Sequence, residues 1–138
     1  MQKIILFAGI MFITYCSFGV NPPAAVQKAF TQKFEGASNV KWGKESSNEY
    51  EAEFTMNEVK MSANFSSEGT WLETETGIEV KQLPEKVIDA ISETYPGWEI
   101  IEADRIENVK KGLQYEVNLK SGTKKKEIIF TPEGNPAR

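Results

Sequence analysis

The chain has 138 residues, 40% hydrophobic and 26% charged, with a formal net charge of −4. That is about one domain of ordinary globular composition, neither disordered nor fibrous. It contains no histidine and a single cysteine, Cys16, which removes His-based triads, His proton shuttles, the usual zinc sites and any internal disulfide framework.

The N-terminus reads as an export signal. Lys3 precedes an unbroken apolar run from Ile4 to Ile13, and Ser17-Phe18-Gly19 then supplies a small-x-small cleavage pattern. Ten apolar residues span about 15 Å as a helix, half a bilayer core, so the run is too short for a permanent anchor. Residues 1–19 are therefore excluded from the fold as a signal peptide, which places the remainder in the periplasm or outside the cell. Loss of Lys3 moves the net charge to −5, and this mild acidity argues against nucleic acid or an anionic membrane as partner. Cys16 could carry a lipid, but the bulky Tyr15 before it disfavours that processing.

Two related units follow. Shifting the sequence by 61 places Pro23, Val26, Ala29 and Gly36 on Pro84, Val87, Ala90 and Gly97, and pairs Phe30 with Ile91, Phe34 with Tyr95 and Val40 with Ile101. After a four-residue insertion the shift is 65: Tyr50-Glu51 falls on Tyr115-Glu116, and Phe65, Glu68 and Gly69 fall on Phe130, Glu133 and Gly134. The first unit is assigned residues 20–82 and the second 83–138.

Each unit opens with a helix. Pro22-Pro23 and Pro84 suit a first turn, where the missing N–H has no partner to lose. Val26, Ala29, Phe30 and Phe34 recur at helical spacing, as do Val87, Ala90, Ile91 and Tyr95, and Gly36 and Pro96-Gly97 end the two runs. The rest alternates with period two. Tyr50, Ala52, Phe54 and Met56 oppose Glu51, Glu53 and Thr55; Leu113, Tyr115, Val117 and Leu119 oppose Gln114, Glu116 and Asn118. Turn residues separate seven predicted strands, near 39–44, 49–56, 58–65, 70–76, 99–107, 113–120 and 124–131. Strands with one wet face predict an antiparallel sheet packed on one side. A unit of about 60 residues is marginal alone, so the two are expected to share one α+β body, with both helices on one face of a shared sheet and the other face open.

The Pro-x-x-Val-x-x-Ala-Phe opening (Pro23 to Phe30), Val40-Lys41-Trp42, Tyr50-Glu51-Ala52-Glu53-Phe54, Phe65-Ser66-Ser67-Glu68-Gly69-Thr70-Trp71 and Leu83-Pro84 together resemble the PepSY-like, β-lactamase-inhibitor-like family of secreted bacterial proteins. The resemblance spans the mature chain. It implies tandem helix-plus-sheet repeats forming a concave sheet, a periplasmic or surface location in a Bacteroides-type bacterium, and no catalytic role. Ala103 stands where Trp42 does in the first unit, and Pro136 where Trp71 does, so the two halves are not equivalent surfaces.

No phosphate-binding loop or nucleophile elbow occurs. Paired carboxylates are the remaining acid–base option. Glu51 and Glu53 lie on one strand face about 7 Å apart, with Glu73, Glu75 or Glu116 as neighbours, and a Ca²⁺ site or carboxylate dyad is conceivable there. The simpler reading is a solvated sheet face, which also covers Glu102-Ala103-Asp104. Trp42 shares parity with Val40 and is assigned to the core, and Trp98 to a helix–strand corner. Trp71 follows a turn with ambiguous parity, and an exposed Trp there would be a contact anchor. Lys124-Lys125-Lys126 is read as protection of an exposed strand.

The resulting expectation is a non-catalytic, cofactor-free binding protein taking a protein or peptide of the cell envelope on the open sheet face, with Trp71, Glu51, Glu53 and Glu73 as the contact residues. A carrier of a small molecule or Ca²⁺ is the alternative, and a carboxylate hydrolase ranks last.

Overall fold

A computed structural model describes residues 19–137. The export signal and Cys16 lie outside the described residues apart from Gly19, as does Arg138. Among the described residues the order is α1 (Ala24–Lys33), β1 (Ser38–Ser46), β2 (Glu49–Met56), β3 (Val59–Ser66), β4 (Trp71–Ile78), a 3-10 turn (Val80–Gln82), α2 (Glu85–Thr94), β5 (Glu99–Asn108), β6 (Gly112–Ser121) and β7 (Lys124–Phe130). All seven strands join one sheet in chain order, every neighbouring pair antiparallel. The predicted strands are all present, with ends moved by no more than two residues.

Both helices begin one residue after a proline. Pro23 and Pro84 are extended, with ψ of 151° and 140°, and so stand at the N-cap just before the first turn expected for them. Their carbonyls accept from Gln27 and Ile88, closing the first turn. The fixed proline φ suits both the extended and helical regions, so the shift costs nothing.

The apolar stripe of α1, Val26 and Phe30 with Phe34 just beyond, packs into a cluster with Ala52, Phe54, Ala63 and Phe65. Ala52 and Ala63 face each other across β2 and β3, and this small pair leaves room for the phenyl rings above it. Phe30 meets Phe54 edge-on at 5.0 Å and Trp42 at 5.2 Å, geometries in which ring edge faces ring π-cloud. The stripe of α2, Val87 and Ile91, builds a second cluster with Leu83, Ala103, Tyr115, Val117, Leu119 and Phe130. That core is largely aliphatic where the first is aromatic.

The two clusters share no buried residue. Between them β4 pairs with β5 over Glu73–Ile78 and Ala103–Asn108, and Thr76 faces Arg105 there. Arg105 bonds Glu107 at 2.6 Å. A polar seam therefore divides the apolar interior, while backbone hydrogen bonds run through it without interruption.

Bulges revise the simple parity. Val40 does not follow Trp42 into the core: Asn39 adopts φ 55°, pairing slips between Ser38 and Lys41, and Val40 is 37% exposed. The corresponding slip between Ile100 and Glu102 leaves Ile101 40% exposed. An extra residue in one strand redirects the side chains before it. Trp42 itself packs against the first core, as assigned, and Trp98 contacts Tyr95 at 6.0 Å at its helix–strand corner.

Candidate polar face of the sheet

The alternate residues, those not committed to either cluster, form one polar surface because paired residues of adjacent strands point the same way. Glu51 faces Asn64, which faces Glu73, which faces Asn108. Glu53 faces Ser62, which faces Glu75. Further along, Asp104 faces Glu116, and Glu102 faces Asn118, which faces Glu127.

Three of the four expected contact residues, Glu51, Glu53 and Glu73, are thus on this surface. Trp71 is not. A slip between Asn64 and Phe65 sets Trp71 opposite Phe65 while Glu73 stands opposite Asn64, so two residues that simple alternation would put together point to opposite faces. Trp71 packs on the first core, its Nε1–H donates to Thr74 Oγ1 at 2.8 Å, and Lys33 Nζ sits 4.2 Å from its ring centre. Its indole is satisfied within the fold.

The surface is not uniformly wet. Glu51 is 8% exposed, and Ile106 and Asn118 are each 3% exposed. Amides satisfy part of the acidic charge: Asn64 Nδ2 donates to Glu49 at 3.0 Å, Asn108 Nδ2 to Glu73, and Asn118 Nδ2 to Glu102 at 3.3 Å.

Carboxylates crowd the half of the surface built by β4 to β7. Burial raises the Glu116 carboxyl to about 8, helped by the negative charges of Glu127, Glu75, Asp104 and Glu102. Glu75 rises to about 7 through burial and then Glu73, Asp104, Glu51 and Glu127. Asp104 reaches about 6 for the same two reasons, with Glu102 and Glu127 as its neighbours. Glu102 and Glu127 are also raised, chiefly by burial, and Lys125 partly offsets the effect at Glu102. Like charges directly opposite across a ladder are destabilising, and Asp104 with Glu116 is such a pair.

Sequence alone does not mark this second-half cluster as a site. Alternation puts Asp104, Glu116 and Glu127 on wet faces of three separate strands, but only cross-strand register brings them together. The Ca²⁺ site weighed as the alternative does not assemble: among the described residues no three Asp, Glu or Cys side chains converge on a point that could hold a metal ion.

The family profile described as "Putative beta-lactamase-inhibitor-like, PepSY-like" matches residues 48–136, from the start of β2 past the end of β7. The chain belongs to the PepSY-like family. Solved structures with the family's architecture cover most of it. A "putative periplasmic" protein from Bacteroides eggerthii superposes with a TM-score of 0.77 at 20% identity, covering 86% of this chain and 88% of that one. A BLIP-like protein from Bacteroides fragilis gives 0.72 at 24% identity, covering 86% and 85%. A DUF2874 family protein from Bacteroides ovatus gives 0.76 at 24% identity over 87% of each chain. At these identities the likeness establishes the α+β fold alone. No curated protein matches the chain. Among the described residues no helix of this PepSY-like protein is long and apolar enough to cross a membrane.

Proposed function

We propose that this PepSY-like protein is a non-catalytic, inhibitor-like binding module of the periplasm or the cell exterior, which takes a protein or peptide on the polar face of its sheet. One observation carries the reading. The sheet presents a broad array of side chains, Glu51, Glu53, Glu73 and Glu75 through Asp104 and Glu116, that contributes to neither apolar core. The array includes partly buried, crowded carboxyls raised well above their ordinary range, and such perturbed groups gather at functional sites.

The module is built, in this reading, from two copies of one unit, residues 20–82 and 83–138, with both helices on one face of a continuous sheet. Matched details support it. Gly69 and Gly134 have φ of 85° and 82°, and a Cβ on either would strike the carbonyl of Ala25 or of Lys86, 61 residues apart. Ser66 N donates to Thr70 O in one loop, as Thr131 N does to Asn135 O in the other. Phe65 pairs with Trp71, and Phe130 makes an isolated bridge to Pro136. Pairing carried from Phe54 and Ala63 through Thr76 and Arg105 to Tyr115 supports a common face for the two helices.

Export through cleavage after Gly19 is part of the proposal. The apolar run from Ile4 to Ile13 supports it, as does the periplasmic description of the Bacteroides eggerthii relative. Tyr15 disfavours lipid attachment at Cys16.

A photo-crosslinking residue at Ser62, on the polar face, should give a discrete adduct in envelope extract, and the same residue at exposed Lys28 on α1 should not. Equal labelling from both positions, or none from Ser62 at micromolar protein, would count against the reading.

A further inference from the structure

Asn118 sits at the middle of the β5–β7 carboxylates, facing Glu102 on one side and Glu127 on the other. It is 3% exposed, and its Nδ2 donates to Glu102 Oε2. That bond fixes the amide, because reversing it would turn a carbonyl toward a carboxylate. Its Oδ1 is enclosed and has no hydrogen-bond donor. A buried acceptor without a donor is costly, and such groups in folded proteins are a few per hundred residues at most. Here the orphan acceptor's residue stands between two carboxylates, Glu102 and Glu127, with Lys120 and Lys125 two positions along on the same face.

Acceptors outnumber donors in the cluster, where Asn118 Nδ2 is already committed to Glu102 and only Lys120 and Lys125 flank one end, so a matching ligand must donate and carry positive charge. A metal ion does not fit, since no three acidic side chains among the described residues converge on a point. Nucleic acid and anionic lipid headgroups have the wrong sign. An ammonium is a compact point charge with three donors, whereas a guanidinium presents five N–H groups in a rigid plane and can bridge separated carboxylates. Acceptors spread over three strands, about 4.8 Å apart, fit the second shape better. We infer that the β5–β7 end of the polar face receives an arginine side chain from a basic segment of the partner, with Glu102, Asp104, Glu116 and Glu127 around it and Asn118 Oδ1 as a fixed acceptor. This rests on the binding role proposed above for that face and specifies its partner.

The raised carboxyls give the idea a distinctive signature. Glu116 at about 8 holds a proton near neutrality and Glu75 at about 7 does so in part, while Asp104 at about 6 is mostly ionised there. A bound cation lowers such values, so binding should release protons. Other charged groups bearing on the cluster are Glu73 and Glu51, which act on Glu75, Lys125, which acts on Glu102, and Lys120, which faces Lys125 and Glu99 on the same side.

The test uses calorimetric titration of the mature chain with a capped hexa-arginine peptide, a hexa-lysine peptide and an uncharged Gly-Ser peptide near pH 7.5, in two buffers of different ionisation enthalpy. Hexa-arginine should bind at micromolar concentration, about tenfold tighter than hexa-lysine, with net proton release. Glu116→Gln and Asn118→Ala should each weaken it about tenfold, and Glu93→Gln, an equal charge change on α2, less than about twofold. Glu127→Gln on the edge strand provides a second cluster variant if either of the first two fails to fold. Absence of hexa-arginine binding, equal weakening by Glu93→Gln, or no effect of Asn118→Ala would overturn the assignment. If the peptide fails while Ser62 still crosslinks an envelope protein, the arginine assignment falls and the binding-module reading stands. If both fail, both fall.

Discussion

Neutralising Glu116 should stabilise the protein, and the effect should depend on pH in a direction the structure sets. Its carboxyl is raised from 4.5 to about 8, first by burial and then by the negative charge of Glu127, Glu75, Asp104 and Glu102. Between those values the folded chain holds a proton that the unfolded chain releases, so stability falls as pH rises through this window. Below pH 4 the group is protonated in both states and contributes nothing. At pH 7 the gap above the ordinary value is about 2.5 units, or ~3.4 kcal/mol at 1.36 kcal/mol per unit. The side chain is only half-buried, and solvent screening reduces that to about 1–2 kcal/mol. Glu116→Gln should therefore gain about 1–2 kcal/mol at pH 7.5 and nothing near pH 4, which at this size is a rise in Tm of roughly 3–8 °C at the higher pH. Urea denaturation at pH 4, 6 and 7.5, followed by tryptophan fluorescence, measures it. A gain of equal size at every pH, or a loss at pH 7.5, would refute the argument that desolvation and like-charge crowding at Glu116 oppose folding.

Other outcomes follow from the packing. Phe30→Ala empties the centre of the aromatic cluster and should cost about 3–5 kcal/mol, and Ile91→Ala in the aliphatic cluster about 2–4. Because the two cores share no buried residue, the double variant should equal the sum within about 0.5 kcal/mol in urea titrations; a larger coupling would contradict the separation. Gly69→Ala and Gly134→Ala each force a β-carbon into a positive-φ position against a helix carbonyl, and should each lower stability by about 2 kcal/mol or more by the same measurement. Trp71→Phe keeps the ring on the core but removes the bond to Thr74, with a loss of about 1 kcal/mol. Since Trp71 lies on the core side, the same variant should leave affinity for any partner of the polar face unchanged within twofold, as read by titration.

Much of the fold was legible along the chain. The helices followed from apolar residues at helical spacing, Val26 with Phe30 and Val87 with Ile91, and the strands from strict alternation bounded by turn residues. These signals are local, since a periodic pattern names both the element and the face it buries. Bulges broke that inference. Alternation puts Val40 inside and leaves Trp71 undecided, because one extra residue in a strand reverses the facing of everything beyond it, and only the pairing partner reveals where the slip occurs.

The candidate site was less legible for a related reason. Alternation marks Glu51, Glu53 and Glu73 as acidic residues of one unit, but the crowding is greatest where Glu75, Asp104, Glu116 and Glu127 meet. Those residues are up to 52 positions apart along the chain, and their proximity exists only once four strands are in register. The orphaned carbonyl of Asn118 has no signature in one dimension either, since an asparagine on a wet strand face is unremarkable until its neighbours enclose it.

Sequence by itself determined the element types, the two apolar stripes and the lack of histidine and of any cysteine beyond Cys16, because periodicity and composition are properties of the chain. Tertiary structure alone decided that the interior divides into two cores at a polar seam, that Trp71 turns inward, and that carboxylates from separate strands share one desolvated surface. Charge repulsion and burial depend on distance and enclosure, and neither exists until the strands have paired.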